Sequence, residues 1–260
     1  MYFIDVQGTL IDDRDKVPIP GAVEWLARLQ AAQIPYLVVT NNTKRSSRDF
    51  LSYLNSLGFP IPDSRYLDAL MMVEKTVPKA GGVAVYGTDA FAAQVEALGY
   101  RLDYDTPRTV LVSVRPDYGS GEFAQMIDFL MRGAELVGMH ETTLYVHEGR
   151  RYPGVGALLK MLSFAASVPY RVVGKPSKLF YEEALRRLRK AAPEAAFENI
   201  TMISDDYAGD LSGAAERGMR TALVLSGKVR PDDGIVRRLR SEGGGTMVYN
   251  DITQIGKSQT

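Results

Sequence analysis

Short apolar runs alternate along the chain with amphipathic stretches, and this rhythm predicts strands followed by helices. Tyr2-Phe3-Ile4 reads as a buried strand, and residues 20–29 as an amphipathic helix opened near Pro20. Tyr36-Leu37-Val38-Val39 is apolar, partly β-branched and of strand length, and it ends at Thr40-Asn41-Asn42. A helix over 46–57 follows, with Gly58 as its stop. The pattern resumes at Arg171-Val172-Val173, which leads into Gly174-Lys175-Pro176-Ser177 and a helix carrying Phe180, Ala184, Leu185 and Leu188. Ile200-Thr201-Met202-Ile203 then leads into Ser204-Asp205-Asp206, and Thr221-Ala222-Leu223-Val224-Leu225 is a further strand. Strand–helix–strand repetition predicts a parallel sheet covered by helices, with ligands at the strands' carboxyl ends.

A second α/β series separates these halves, with strands at 83–86, 110–114 and 136–139 and helices at 90–98, 123–132 and 155–166. Its length is that of a domain. The expected division is a core over 1–76 and 172–260 and an inserted domain over 77–171, with Gly81-Gly82 as a hinge near its entry. Gly243-Gly244-Gly245 reads as a surface turn and the polar tail from Gly256 as a frayed end.

Composition narrows the partners. Lys plus Arg and Asp plus Glu both total 31, so no net field attracts nucleic acid or an anionic membrane. The basic stretch Arg186-Arg187-Leu188-Arg189-Lys190 reads as the solvated face of a helix. The absence of cysteine excludes disulfides and thiolate metal sites. No apolar run approaches the ~18 residues of a membrane span, and the first strand starts at Tyr2, so the expected location is cytoplasmic.

Polar residues follow the apolar strands in a telling order. Asp5 and Gly8 stand behind the first strand in Asp5-Val6-Gln7-Gly8-Thr9-Leu10, a segment that reads either as a nucleophile loop or as an Asp capping a turn. Thr40, Lys175 and Asp205 fall where a parallel sheet would present them along one edge with Asp5. Phosphoryl transfer needs a nucleophile, a cation, hydrogen-bond donors and a divalent metal. Asp5 can serve as nucleophile and metal oxygen, Thr40 and the Asn41 backbone N–H as donors, and Lys175 as fixed charge. Asp205 and Asp210 offer hard oxygens suited to Mg²⁺. Each residue alone has an ordinary structural reading; four suitable strand ends together favour a site.

This set resembles the four motifs of the haloacid dehalogenase (HAD) superfamily. Asp5-Val6-Gln7-Gly8-Thr9 matches the first motif, Thr40 the second, Lys175 the third, and Asp205 with Asp210 the acidic fourth. The insertion matches an α/β C2 cap, as in the NagD-like subfamily IIA. A narrower likeness, to the phospholysine phosphohistidine inorganic pyrophosphate phosphatases, rests on three segments. They are Val173-Gly174-Lys175-Pro176-Ser177, Ser204-Asp205-Asp206-Tyr207-Ala208-Gly209-Asp210 and Ser226-Gly227-Lys228-Val229-Arg230-Pro231. The resemblance implies an α/β fold with a three-layer Rossmann-like core and an inserted C2-type cap. It further implies a Mg²⁺ cofactor, a small phosphorylated substrate and cap-mediated homodimers.

One position departs from the family. Its phosphatases carry a second Asp two residues after the nucleophile, which protonates the leaving group and then activates water; this chain has Gln7. An amide does neither, although the backbone carbonyl of residue 7, a metal ligand in the family, is unaffected. The phosphohistidine-type relatives also lack that Asp. Two readings follow: a phosphohydrolase working through an aspartyl-phosphate, or a catalytically weakened phosphate-binding or regulatory protein on the same fold.

Other motifs are weaker. Gly154-Val155-Gly156 lacks the third glycine of a dinucleotide loop and reads as a helix start. His140 and His147 flank a predicted strand without enough ligands for a metal, which favours surface or cap-lining roles. Chain length and the late acidic pair rule out a receiver domain.

Overall fold

The computed structural model describes residues 1–241 and 245–256. The surface-turn reading of Gly243 and Gly244 and the frayed-tail reading beyond Gly256 lie outside the described residues, as do the side chains of Val146 and His147. The chain first forms β1 (Tyr2–Ile4), α1 (Ala22–Ala31), β2 (Tyr36–Thr40), α2 (Ser47–Ser56), β3 (Tyr66–Asp68) and α3 (Leu70–Thr76). There follow β4 (Val83–Tyr86), α4 (Asp89–Ala97), β5 (Thr109–Val112), α5 (Ser120–Met131), β6 (Glu135–Gly138), β7 (Leu144–His147) and β8 (Arg150–Pro153). The last elements are α6 (Val155–Ala166), β9 (Tyr170–Val172), α7 (Lys178–Leu188), β10 (Thr201–Ser204), α8 (Ser212–Ala215), β11 (Arg220–Val224), α9 (Gly234–Ser241) and β12 (Thr246–Tyr249).

These elements make two compact units. One comprises Met1–Thr40, Phe50–Leu67 and Tyr181–Thr260; the other comprises Asn41–Asp49 and Asp68–Phe180. The first is built on a six-stranded sheet of order β12-β11-β10-β1-β2-β3. β1 runs parallel to β2 on one side and to β10 on the other, so the strand order reverses at β1. That reversal opens a crevice at the carboxyl ends, the usual ligand position in open α/β sheets. Phe3, Ile4, Leu37, Val38, Met202 and Ile203 are buried. Strands covered on both faces need continuous apolar runs, and this is why β1, β2 and β10 were legible.

The second unit carries a four-stranded sheet, β4-β5-β6-β9, with parallel pairings throughout. Val110, Val112, Leu136, Phe129, Leu159 and Leu162 form its core. α5 begins earlier than expected because Glu122 accepts the Gly119 N–H at 2.9 Å and caps the turn.

Two expectations need correction here. The strand before Lys175 does not join the sheet that carries Asp5: Tyr170, Arg171 and Val172 pair with Leu136, Val137 and Gly138 of β6. A strand of three residues, Tyr170-Arg171-Val172, fits the open edge of either sheet, and so short a pattern does not name the partner. The stretch around Tyr145, Arg151 and Tyr152 has the polar, aromatic composition of a substrate-facing loop, but it is the antiparallel hairpin β7–β8 with Tyr145 opposite Tyr152. The residues of β3 and α3 carried no clear period and were not anticipated. Among the described residues, no helix is long and apolar enough to cross a membrane.

Candidate active site

Three neighbouring parallel strands end together in the first unit. β1 delivers Asp5, β2 ends on Thr40, and β10 delivers Asp205. The Asp5 N–H still donates to Ile203 O at 2.9 Å, so the carboxylate leaves the sheet from a fixed backbone. Beyond it the chain turns at once: Leu10 N–H reaches Val6 O at 2.8 Å and Gly8 N–H reaches Ile11 O at 2.7 Å. Gly8 adopts φ 73°, and a Cβ there would overlap the Asp205 carboxylate. Only glycine meets both conditions.

Asp5 is 6 % exposed and Asp205 1 %. Burial pushes the Asp205 carboxyl well above the usual carboxylate range; the Lys228 charge opposes the shift, and the neighbouring Asp5 adds to it. Burial pushes the Lys228 ammonium down, but the carboxylates of Asp206 and Asp205 more than reverse this and leave it above an ordinary lysine. A buried acid whose ionisation is opposed by burial and by a neighbouring carboxylate is one that a hard dication would relieve. Among the described residues, no three His, Cys, Asp or Glu side chains come together as a metal cluster. Asp5 and Asp205 offer hard carboxylate oxygens, the donor type that Mg²⁺ takes.

Asp210 lies in the π turn Tyr207–Leu211, where its Oδ2 accepts the Ser204 hydroxyl at 2.7 Å. It does not join Asp5 and Asp205 in a three-carboxylate cluster. Asp206 shapes the same turn by accepting the Gly209 N–H at 2.8 Å.

Gln7 and Thr40 meet directly. The buried Thr40 hydroxyl donates to Gln7 Oε1 at 2.9 Å. A hydroxyl has one proton to give, so Thr40 donates to a phosphate only after this bond opens.

The other two expected residues lie together in the second unit. Asn41 Oδ1 accepts the Lys175 N–H at 2.8 Å, and Asn41 Nδ2 donates to Lys175 O at 3.4 Å. The Asn41 side chain thus braces the backbone of Lys175, a job that motif reading did not give it. Lys175 is 1 % exposed.

Lys228 was quoted in a motif but given no role. Its backbone N–H donates to Asp205 Oδ2 at 2.7 Å and its ammonium to Asp206 Oδ2 at 2.6 Å. The available signal was Ser226-Gly227-Lys228 directly after the buried strand β11. His140 is buried, with Nδ1 2.9 Å from Thr142 Oγ1. Gly154 caps α6, as expected of a helix start.

Comparison with known proteins gives consistent results. Residues 2–101 match a family model for haloacid dehalogenase-like hydrolases, and residues 172–255 match a HAD-hydrolase-like model. Haloacid dehalogenase-like hydrolase domain-containing protein 2 of Bos taurus is 32 % identical over 232 residues, covering 88 % of this chain and 85 % of that protein. Phospholysine phosphohistidine inorganic pyrophosphate phosphatase of Bos taurus is 28 % identical over 256 residues, covering 92 % and 88 % respectively. Among solved structures, NagD from Escherichia coli K-12 superposes with a TM-score of 0.76 at 22 % identity, over 98 % of this chain and 97 % of that one. That last likeness is one of fold.

Proposed function

Because the chain belongs to the haloacid dehalogenase-like hydrolases, we propose that it is a Mg²⁺-dependent HAD-type phosphatase of the NagD-like subfamily IIA, working through an aspartyl-phosphate on Asp5. The observation that carries this reading is the pair of buried carboxylates, Asp5 and Asp205, at the ends of adjacent strands β1 and β10. An Asp5 oxygen attacks phosphorus, and the bond from phosphorus to the leaving group breaks, with the leaving group taking its electron pair. Water then cleaves the acyl phosphate, returning the Asp5 carboxylate and inorganic phosphate. Mg²⁺, held by Asp5, Asp205 and the backbone carbonyl of Gln7, would neutralise the phosphoryl oxygens. Asp210, which accepts the Ser204 hydroxyl, supports that metal shell or Lys175. By motif correspondence Thr40, Asn41 and Lys175 bind the phosphoryl group.

We assign 1–76 and 172–260 to the catalytic core and 77–171 to a C2-type cap that selects a small phosphorylated compound. Two similar proteins are named for phosphorylated substrates, the phospholysine phosphohistidine inorganic pyrophosphate phosphatase and the 5′-nucleotidase YutF of Bacillus subtilis.

Gln7 favours the second reading, a weakened phosphate-binding or regulatory protein. General acid–base catalysis contributes roughly 10²–10⁴-fold, or about 3–5 kcal/mol of barrier, and an amide forgoes it. Activity restricted to good leaving groups reconciles the two readings. Turnover of p-nitrophenyl phosphate separates them: hydrolysis that needs Mg²⁺ and stops with chelator supports the enzyme. Phosphate binding without turnover supports the alternative.

A further inference from the structure

A three-residue strap, Ser226-Gly227-Lys228, lies over the Asp205 carboxylate just after β11, and it is tied at both ends. The Ser226 hydroxyl donates to Gly8 O at 2.7 Å. The Lys228 ammonium donates to Asp206 Oδ2 at 2.6 Å. Between these ties the Lys228 N–H donates to Asp205 Oδ2 at 2.7 Å. Gly227 comes so near that a Cβ on it would overlap both the Asp205 carboxylate and the Gly8 backbone.

A carboxylate on its own rotates in a broad two-fold well. With Oδ2 pinned by a backbone donor, the plane of the Asp205 carboxylate is set, and Oδ1 is the oxygen left for a cation. The donor sits on the strap, and the strap's outer end is held only by the Lys228–Asp206 pair among the ties described above. We propose that Lys228 is a positioning residue for the metal site: by anchoring the strap on Asp206, it presets Asp205 to receive Mg²⁺. This inference rests on Asp205 being a Mg²⁺ ligand.

Charge and position predict opposite signs. A lysine acting only as a nearby cation would repel Mg²⁺, and removing it would tighten metal binding. A positioning lysine makes binding weaker when lost, and partners outside the ligand shell are typically worth ~10–100-fold in metal affinity. The Lys228 side chain is 38 % exposed. A pair this open adds little to folding, so Lys228→Met should leave the metal-free fold standing.

The experiment is Mg²⁺ titration calorimetry on metal-free protein, with the melting temperature measured alongside. It covers wild type, Lys228→Met, Lys228→Arg, Asp206→Asn and the Lys228→Met/Asp206→Asn double variant. The expected result is roughly 10–100-fold weaker Mg²⁺ binding in Lys228→Met, most of it restored by arginine. Asp206→Asn should weaken binding similarly, and the double variant should lose no more than Lys228→Met alone. Unchanged or tighter binding in Lys228→Met overturns the proposal while leaving the metal reading intact. Wild type that binds no Mg²⁺ overturns both. Should Lys228→Met fail to fold, Lys228→Gln, which also removes the charge and the tie, decides by the same criterion.

Discussion

The two units repeat one architecture with different chemistry at the strand ends. In the four-stranded sheet most polar groups beyond β4 and β5 bond one another, the exception being the buried, neutral Ser113 hydroxyl, which has no partner among the described residues. The Tyr118 hydroxyl lies 2.8 Å from Tyr86 O and 2.7 Å from Ser113 O, and its one proton serves these two acceptors. Arg115 covers the Tyr118 ring at 4.4 Å, pairs with Asp117 at 2.9 Å and bonds Glu122. Burial raises the Tyr118 phenol, and the neighbouring Arg115 charge pulls it back. In the six-stranded sheet Asp5 and Asp205 are buried with like charge beside like charge, and Asp205 is driven toward its protonated form by burial first and then by Asp5. Strand topology supplies a place for polar groups, whereas reactivity needs groups whose neighbours leave them strained.

The sharpest way to break this contrast is Asp5→Asn. Loss of a nucleophile costs on the order of 10⁶-fold where the reaction is covalent, and hydrolysis should fall to background with the circular dichroism spectrum unchanged. Activity within tenfold of wild type would sink the covalent mechanism.

Gln7→Asp tests what the first unit lacks. A leaving-group series should show alkyl phosphates accelerated by up to roughly 10²–10⁴-fold and aryl phosphates much less. Wild type, with no base for the second step, should show burst kinetics as the aspartyl-phosphate persists. Equal acceleration of all substrates, or of none, would mean that Gln7 does not occupy the acid–base position.

Arg151→Ala probes the second unit. Arg151 is exposed on β8, beside the Tyr145–Tyr152 stack at 5.6 Å. Relative rates across a substrate panel should shift by about tenfold or less, with the Mg²⁺ requirement unchanged. Constant relative rates would remove Arg151 from substrate selection.

The smallest effect is a pH slope in stability. The folded-state pKa of Asp205 is raised, so the native state holds its proton longer than the unfolded chain does. Its contribution is intact below the ordinary carboxylate pKa and is lost as pH climbs through the folded value. The metal-free protein should therefore melt lower as pH rises out of the acid range, with a shallower slope in Asp205→Asn. An identical slope in the variant would place the effect elsewhere.

Legibility in the sequence followed burial and residue type. Asp5, Thr40 and Asp205 could be read because each closes an apolar strand, and a carboxylate or hydroxyl at such an end is conspicuous. The strap could not, because its contact with Asp205 is made by a main-chain N–H that any residue but proline would carry. The brace on Lys175 was hidden for a related reason: an Asn after a strand reads as a turn, and nothing local reveals that its amide reaches residue 175. β7 and β8 were hidden because Leu144-Tyr145-Val146-His147 and Arg150-Arg151-Tyr152-Pro153 carry no apolar–polar alternation.

Gly8 and Gly227 converge on one oxygen of Asp205, and a Cβ on either would occupy its space. The site can therefore be poisoned without deleting any ligand. A single methyl group, the smallest side chain, would evict the carboxylate and leave every functional group present in the wrong place. A survey that scored only acids, amides and lysines would pass such a variant as intact. Here the inventory of reactive groups is guarded by an absence of atoms, and the two most ordinary residues in the region set the narrowest tolerance.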